Sequence, residues 1–215
     1  MRRTFLRRYT DLPALIYLLS HKKITFLDPE TWDDRNDSHY LRLYRERKKV
    51  QTVLALCFTQ ASETYHHWRI FAGGSAGACI TFKRQELLSA LQKEDGLRSG
   101  SVEYRKLKGV RRQALAVERL PFLKRYPFEA EREFRIIYES GDNKSYHDVA
   151  IPLSCIDKVT LSPWLNQTLF VGVRKALASI KGCGKIRISR STLISNEEWK
   201  ALGETATRRR ARASR

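Results

Sequence analysis

Val53-Leu54-Ala55-Leu56-Cys57-Phe58 is apolar without interruption. Such a run reads as a central strand covered on both faces. A central strand implies a sheet with helices packed around it. The other strand signals are Thr4–Tyr9, Lys23–Leu27, Ala78–Phe82, Ser101–Tyr104, Glu131–Tyr138, Tyr146–Ile151, Ile156–Leu161 and Lys185–Ser189. A Gly-Asp-Asn turn at Gly141 suggests that Glu131–Tyr138 and Tyr146–Ile151 pair as a hairpin. Helical signals lie between them. Asp11 can cap a helix over Leu12–His21, with Pro13 tolerated in its first turn. His39–Lys49 has a basic face, and a helix holding His66, Trp68, Arg69 and Phe71 breaks at Gly73–Gly77. Gln85–Leu91, Lys106–Leu120 and Asn166–Ser179 follow, and Ser195 with Glu198 fits the capping box of a short last helix. Strands and helices interleave without strict βαβ regularity. The expected fold is α+β, one domain over 1–203, with a mixed and mainly antiparallel sheet and surrounding helices. Residues 204–215 read as a basic, disordered tail.

The densest chemistry is in Pro127–Tyr138, where Glu129, Glu131 and Glu133 alternate with Ala130, Arg132 and Phe134. In an extended strand three carboxylates then share one face and repel unless cations or a substrate answer them. One outcome is a catalytic site at the mouth of a sheet. The other is an ion-paired strand end with Arg132 and Arg135 as partners.

The formal net charge is +18. Arg208, Arg209, Arg210, Arg212 and Arg215 supply five of these charges in the tail, and the rest is spread over the body. Such a surface attracts an anionic partner, either nucleic acid or an acidic protein. Arg42, Arg45, Lys48, Lys49, Arg111 and Arg112 are the candidate phosphate contacts. No apolar run is long enough to span a bilayer, and Asp11 and Pro13 interrupt any export signal, so a cytoplasmic protein is expected. The oligomeric state is left open.

Cys57, Cys79, Cys155 and Cys183 are far apart, so no zinc knuckle exists, and reduced buried thiols are expected. Adjacent His66 and His67 point apart. No structural metal is expected. Asp33, Asp34, Asp37 and His39 nevertheless offer a third functional reading, a metal-dependent nuclease.

Several segments together resemble a large bacterial family known only as a domain of unknown function, associated with phage defence and mobile elements. They are Phe5–Tyr9, Thr25–Asp34, Leu56–Thr59, the helix with Trp68, Gly77–Phe82 and Glu131–Arg135. Where family members often carry Asn-Asp-Pro-Phe, this chain has Trp32-Asp33-Asp34-Arg35-Asn36-Asp37, which marks a divergent branch. The chain is also similar to ADP-ribosyltransferases. Those enzymes order a basic residue on the first strand, a Ser/Thr-bearing strand and a later Glu-x-Glu. Here the order is Arg7 or Arg8, Thr59, and Glu131-x-Glu133, with Cys57-Phe58-Thr59 in place of Ser-Thr-Ser.

That resemblance implies an ADP-ribosyltransferase-like fold and NAD as the cofactor consumed, in an effector of bacterial conflict that modifies nucleic acid or protein. Cleaving the nicotinamide–ribose bond passes through an oxocarbenium-like state. Glu133 would stabilise that charge and Glu131 would polarise the acceptor. Arg8 would hold the pyrophosphate, Tyr9, Trp68 or Phe58 would supply a flat apolar wall for nicotinamide, and Thr59 would take the Ser/Thr position of the cofactor site. The alternative is a non-enzymatic basic nucleic-acid-binding subunit of a defence or toxin complex, in which Glu131 and Glu133 serve the fold.

Overall fold

The computed structural model describes residues 4–111 and 115–213, the side chains of 207–213 excepted. Eleven strands and seven α-helices make up these residues. The order begins β1 (Phe5–Asp11), α1 (Leu12–His21), β2 (Lys23–Leu27), α2 (Arg35–Lys48), β3 (Thr52–Thr59), α3 (Tyr65–Phe71), β4 (Gly77–Lys83) and α4 (Arg84–Leu91). It continues with β5 (Leu97–Ser101), β6 (Glu103–Arg105), α5 (Leu107–Val110), β7 (Leu123–Arg125), β8 (Glu133–Ser140) and β9 (Tyr146–Ala150). β10 (Ile156–Leu161), α6 (Gln167–Ser179), β11 (Arg187–Arg190) and α7 (Glu197–Ala213) complete it. No described helix is long and apolar enough to cross a membrane.

The fold is α+β, and its nine-stranded sheet is mainly antiparallel; only β10 and β11 run parallel within it. β3 is the hub. Along one edge it pairs β8 from Thr52 to Thr59. Its other edge is shared. β1 meets it only at Arg7↔Thr59, and β2 only at Leu27↔Ala55. β1 and β2 therefore part company on either side of a gap along β3.

Alternation along the strands gives the sheet two different faces. Leu6, Ile24, Phe26, Leu54, Leu56, Phe58, Ile80, Phe82, Phe134 and Ile136 form the main core with α1, α4 and α6. The opposite face carries two smaller clusters. Leu41 and Tyr44 of α2 cover Val53, Ala55 and Ile137. Trp68 and Ala72 of the α3 segment cover Tyr9 and Cys79. Between those two clusters the second face is polar, and the candidate site lies there.

Several expectations change. β9 pairs β2 through five residues and does not form a hairpin with β8. β9 instead closes the free edge of β2. α2 begins at Arg35, earlier than expected, because Asp34 caps it by accepting from the Asn36 N–H at 3.1 Å. The acids that read as a loop are its cap and first turn. Among the described residues of Lys106–Leu120, Leu107–Val110 is helical and a 3-10 turn covers Val117–Phe122. That segment must return so that β6 can lie parallel to β7. The last helix is not short. Its backbone is helical through Ala213, into the segment expected to be a disordered tail.

Candidate functional site

The acidic stretch is not one extended strand. Tyr126–Glu131 forms a 3-10 turn, Arg132 takes a left-handed φ of 45°, and only Glu133 belongs to β8. A non-glycine residue there is strained, and such strain persists where surroundings enforce it. The effect is to fold Glu131 back beside Glu133. Glu129 is left exposed, so the expected row of three carboxylates is reduced to two.

Those two belong to a buried cluster of five charges. Arg135 is fully buried, and Asp37, Glu131 and Glu133 are nearly so. Arg135 grips Glu133 with Nε to Oε1 at 2.8 Å and Nη2 to Oε2 at 3.0 Å. It grips Asp37 with Nη1 to Oδ1 at 2.8 Å and Nη2 to Oδ2 at 2.7 Å. Its last donor goes from Nη1 to the Pro121 carbonyl at 2.8 Å. Every guanidinium N–H is thus used. The Trp32 ring lies 4.9 Å from the guanidinium carbon. Lys124 is the second cation. Its Nζ is 2.7 Å from Glu131 Oε2, 3.5 Å from Glu133 Oε2 and 3.7 Å from Asp37 Oδ2. Arg132, expected as an ion partner, makes none of these contacts.

The two glutamates are shifted in opposite directions. At Glu133 burial works to raise the carboxyl, but Arg135 and then Lys124 overcome it and bring it down to about 2. At Glu131 burial outweighs the contact with Lys124, and the carboxyl is raised. Burial works to lower Lys124, yet Glu133, Glu131 and Asp37 together push it up. Glu133 is therefore held ionised, and Glu131 takes up a proton more readily than Glu133 does.

The depressed Glu133 has a consequence for stability. A carboxylate whose folded value lies below its unfolded one stabilises the fold at neutral pH and loses that contribution as pH falls toward the folded value. The window runs from the ordinary glutamate range down to about 2. The contribution is on the order of 3 kcal/mol at one unit per 1.36 kcal/mol. Glu131 acts with the opposite sign and offsets part of it. Urea midpoints of the wild type should fall across that acid window, and Glu133→Gln should remove most of the slope.

A cleft of about 520 Å³ opens above this cluster. Asp37 and Lys124 form its floor, and Arg35, His39, Arg42, Arg105 and Arg125 line its walls, with Glu30 and Asp34 at one side. The Asp34 Oδ2 is buried without a partner. The two glutamates stand directly behind the Lys124 ammonium.

The residues expected to hold the cofactor do not gather here. Arg7, Thr59 and Glu133 form a row across the second face, because Thr59 is opposite both Arg7 and Glu133. Arg8, one residue on, points to the other face and donates from Nη1 to the Cys57 carbonyl at 3.2 Å. Arg8 and Glu133 thus do not converge. Arg7 has the right face, and it donates to the Ala61 carbonyl at 2.7 Å. Thr59 is buried; its hydroxyl donates to the Glu131 carbonyl at 2.6 Å and accepts from the Ala61 N–H at 3.0 Å. It holds the Glu131 turn in place. Trp68 is fully buried and donates to Glu63 at 2.6 Å, and Tyr9 is buried against it and His67. Both are core, not walls.

Of the candidate phosphate contacts, Arg42 lines the cleft and Arg45 is paired with Glu30 at 2.9 Å. Lys48 and Lys49 are exposed at the far end of α2, and Arg111 is exposed after α5. Arg112 lies outside the described residues. Asp37, expected among possible metal ligands, faces Arg135 instead. Among the described residues no group of three His, Cys, Asp or Glu side chains could hold a metal ion.

No family model matches the chain, and no curated protein matches it. Among solved structures, three of Thermus sp. 2.9 DarT align over 89% of this chain. The one in complex with ADP-ribosylated ssDNA gives a TM-score of 0.46 at 12% identity, covering 95% of that chain. The NAD+ complex gives 0.45 at 15% over 96% of that chain, and the carba-NAD+ complex 0.45 at 13% over 97%. At scores this low the likeness carries no inference about what this chain does.

Proposed function

We propose that this chain transfers ADP-ribose from NAD to a nucleophile on nucleic acid or protein, with the reaction centre at the floor of the basic cleft. The observation that carries this reading is the Glu131–Lys124–Glu133 bridge: one carboxylate held ionised and one that takes up a proton more readily, side by side beneath a cleft walled by arginines. Arg42, Arg105 and Arg125 are the natural partners of a pyrophosphate, in the role expected of Arg8. The nicotinamide–ribose bond breaks with its electron pair leaving on the nicotinamide nitrogen. The ionised Glu133 offsets the positive charge that develops on the ribose. Glu131 takes the proton of the acceptor as the new bond to the ribose carbon forms. Lys124 covers both carboxylates, so NAD must displace its ammonium to reach them. Nicotinamide release by wild type and Glu133→Gln tests the reading, with nucleic acid and protein supplied as acceptors.

One observation favours a second reading, a basic nucleic-acid-binding subunit. Arg42, Arg105 and Arg125 line an open cleft, and Lys48, Lys49 and Arg111 are exposed outside it, so a phosphate backbone would find cations at both places. In that case affinity for an oligonucleotide should fall steeply with salt. Arg42→Ala and Arg105→Ala should each lower the slope of log K against log salt by about 1. Glu133→Gln should leave affinity unchanged in folded protein, and wild type should release no nicotinamide.

A further inference from the structure

We propose that the gap between β1 and β2, on the sheet face away from Glu133, is a second ligand site that takes a nucleoside monophosphate, with Arg8 as the anchor for its phosphate. The proposal does not rest on ADP-ribosyl transfer. The gap follows from topology, because β1 and β2 each touch β3 at a single residue pair. α1 and β9 close its sides and leave a cleft of about 400 Å³. That is within the usual range for small-molecule sites, about 300–1,000 Å³.

Arg8 is the reason to expect an anion. Its guanidinium sits in the gap, where it bonds the Cys57 carbonyl that the broken ladder leaves free. It forms no ion pair with any described residue; only Cys57 and then Asp11 favour its charge from a distance. Burial works against its charge. The contrast with Arg135, which uses every donor on two carboxylates and a carbonyl, is sharp. A guanidinium cannot shed its proton to relieve this cost. Its remaining N–H donors fit the oxygens of a phosphate or a carboxylate.

The rest of the cleft suits a ring body. Leu18, Ile24 and Ile80 give an apolar wall, and the half-exposed rings of Tyr17 and Tyr146 stand at its mouth. Asp148 also faces the cleft and holds the Tyr17 hydroxyl at 2.5 Å and the Thr25 hydroxyl at 2.7 Å. A carboxylate there repels a second anion but accepts from a ribose hydroxyl or a base amino group. An oxyanion at one end and hydrogen-bond donors at the other describe a nucleoside monophosphate better than a simple aryl carboxylate.

The test is methyl NMR on the full chain with labelled Ile, Leu and Val, titrated with AMP, adenosine and benzoate. AMP should shift the methyls of Leu18, Ile24, Leu27 and Ile80 in a saturable way, with adenosine and benzoate at least tenfold weaker. Arg8→Met should weaken AMP at least tenfold while its thermal midpoint stays close to that of wild type, since the half-buried guanidinium has no ion-pair partner among the described residues. If Arg8→Met does not fold, Tyr146→Ala alters only an exposed rim residue and should weaken AMP several-fold. AMP shifts confined to Leu107 and Val110, which line the basic cleft on the other face, would overturn the proposal. So would undiminished binding in both variants. Benzoate binding as tightly as AMP would overturn the nucleotide assignment.

Discussion

Arg135→Met should cost about 3–5 kcal/mol, the range found when one partner of a buried ion pair is removed. Against a typical total of about 5–15 kcal/mol, that leaves a marginal protein at 25 °C. Methionine keeps the length and the apolar stem, so the loss is electrostatic. Asp37 and Glu133 would each lose a bidentate partner and retain Lys124 as their one cation, at 3.7 Å and 3.5 Å. The Pro121 carbonyl would lose its donor and Trp32 the cation over its ring. The five-charge cluster already carries one more acid than base, so removing a cation leaves three carboxylates around one lysine. Urea unfolding of wild type and variant measures the difference. Adding Asp37→Asn and Glu133→Gln in the Met background should recover part of the loss, because coupled residues are not additive. A cost below about 1 kcal/mol would mean that the cluster is hydrated and not the buried network described here.

The cluster explains which parts of this structure could be read from the chain. β3 and β4 are apolar runs whose length and composition identify them, and they pair as sheet interior. Glu133 and Arg135 are two residues apart on one strand, so their shared face was legible from alternation alone. Asp37 was not, since it meets Arg135 across 98 residues. Nothing in the local pattern at Trp32–Asp37 distinguishes an acid that caps a helix from one that enters the interior. Lys124 lies only seven residues from Glu131, but a 3-10 turn, not a strand, brings them together. The Arg7–Arg8 pair shows the limit most clearly. Alternation says that they face opposite ways, and only the register Arg7↔Thr59↔Glu133 says which of them shares the carboxylate face. The β9 error has the same origin: a good turn between two apolar runs suggests a hairpin, while the pairing depends on which edge remains open.

Glu133→Gln should reduce nicotinamide release from NAD by about 10²–10³-fold, the usual cost of removing one group that stabilises charge in a transition state. Glutamine keeps the shape and can still accept a hydrogen bond from Arg135, but it carries no charge to offset an oxocarbenium-like ribose. Because the same substitution also loosens the cluster, rates must be compared below the unfolding midpoint of each variant. Glu131→Gln separates the two roles. Its carboxyl is raised by burial, so under the proposed reaction it would serve as a base only above that raised value. Wild-type transfer should therefore climb with pH through a group lying above the ordinary glutamate range, and Glu131→Gln should flatten that limb. Loss of a general base costs typically about 10²–10⁴-fold in transfer to an acceptor. Direct hydrolysis of NAD should suffer less, since water needs less help once the ribose cation has formed. If folded Glu133→Gln releases nicotinamide as fast as wild type, the buried acids serve stability alone, and the cleft above them is a binding surface.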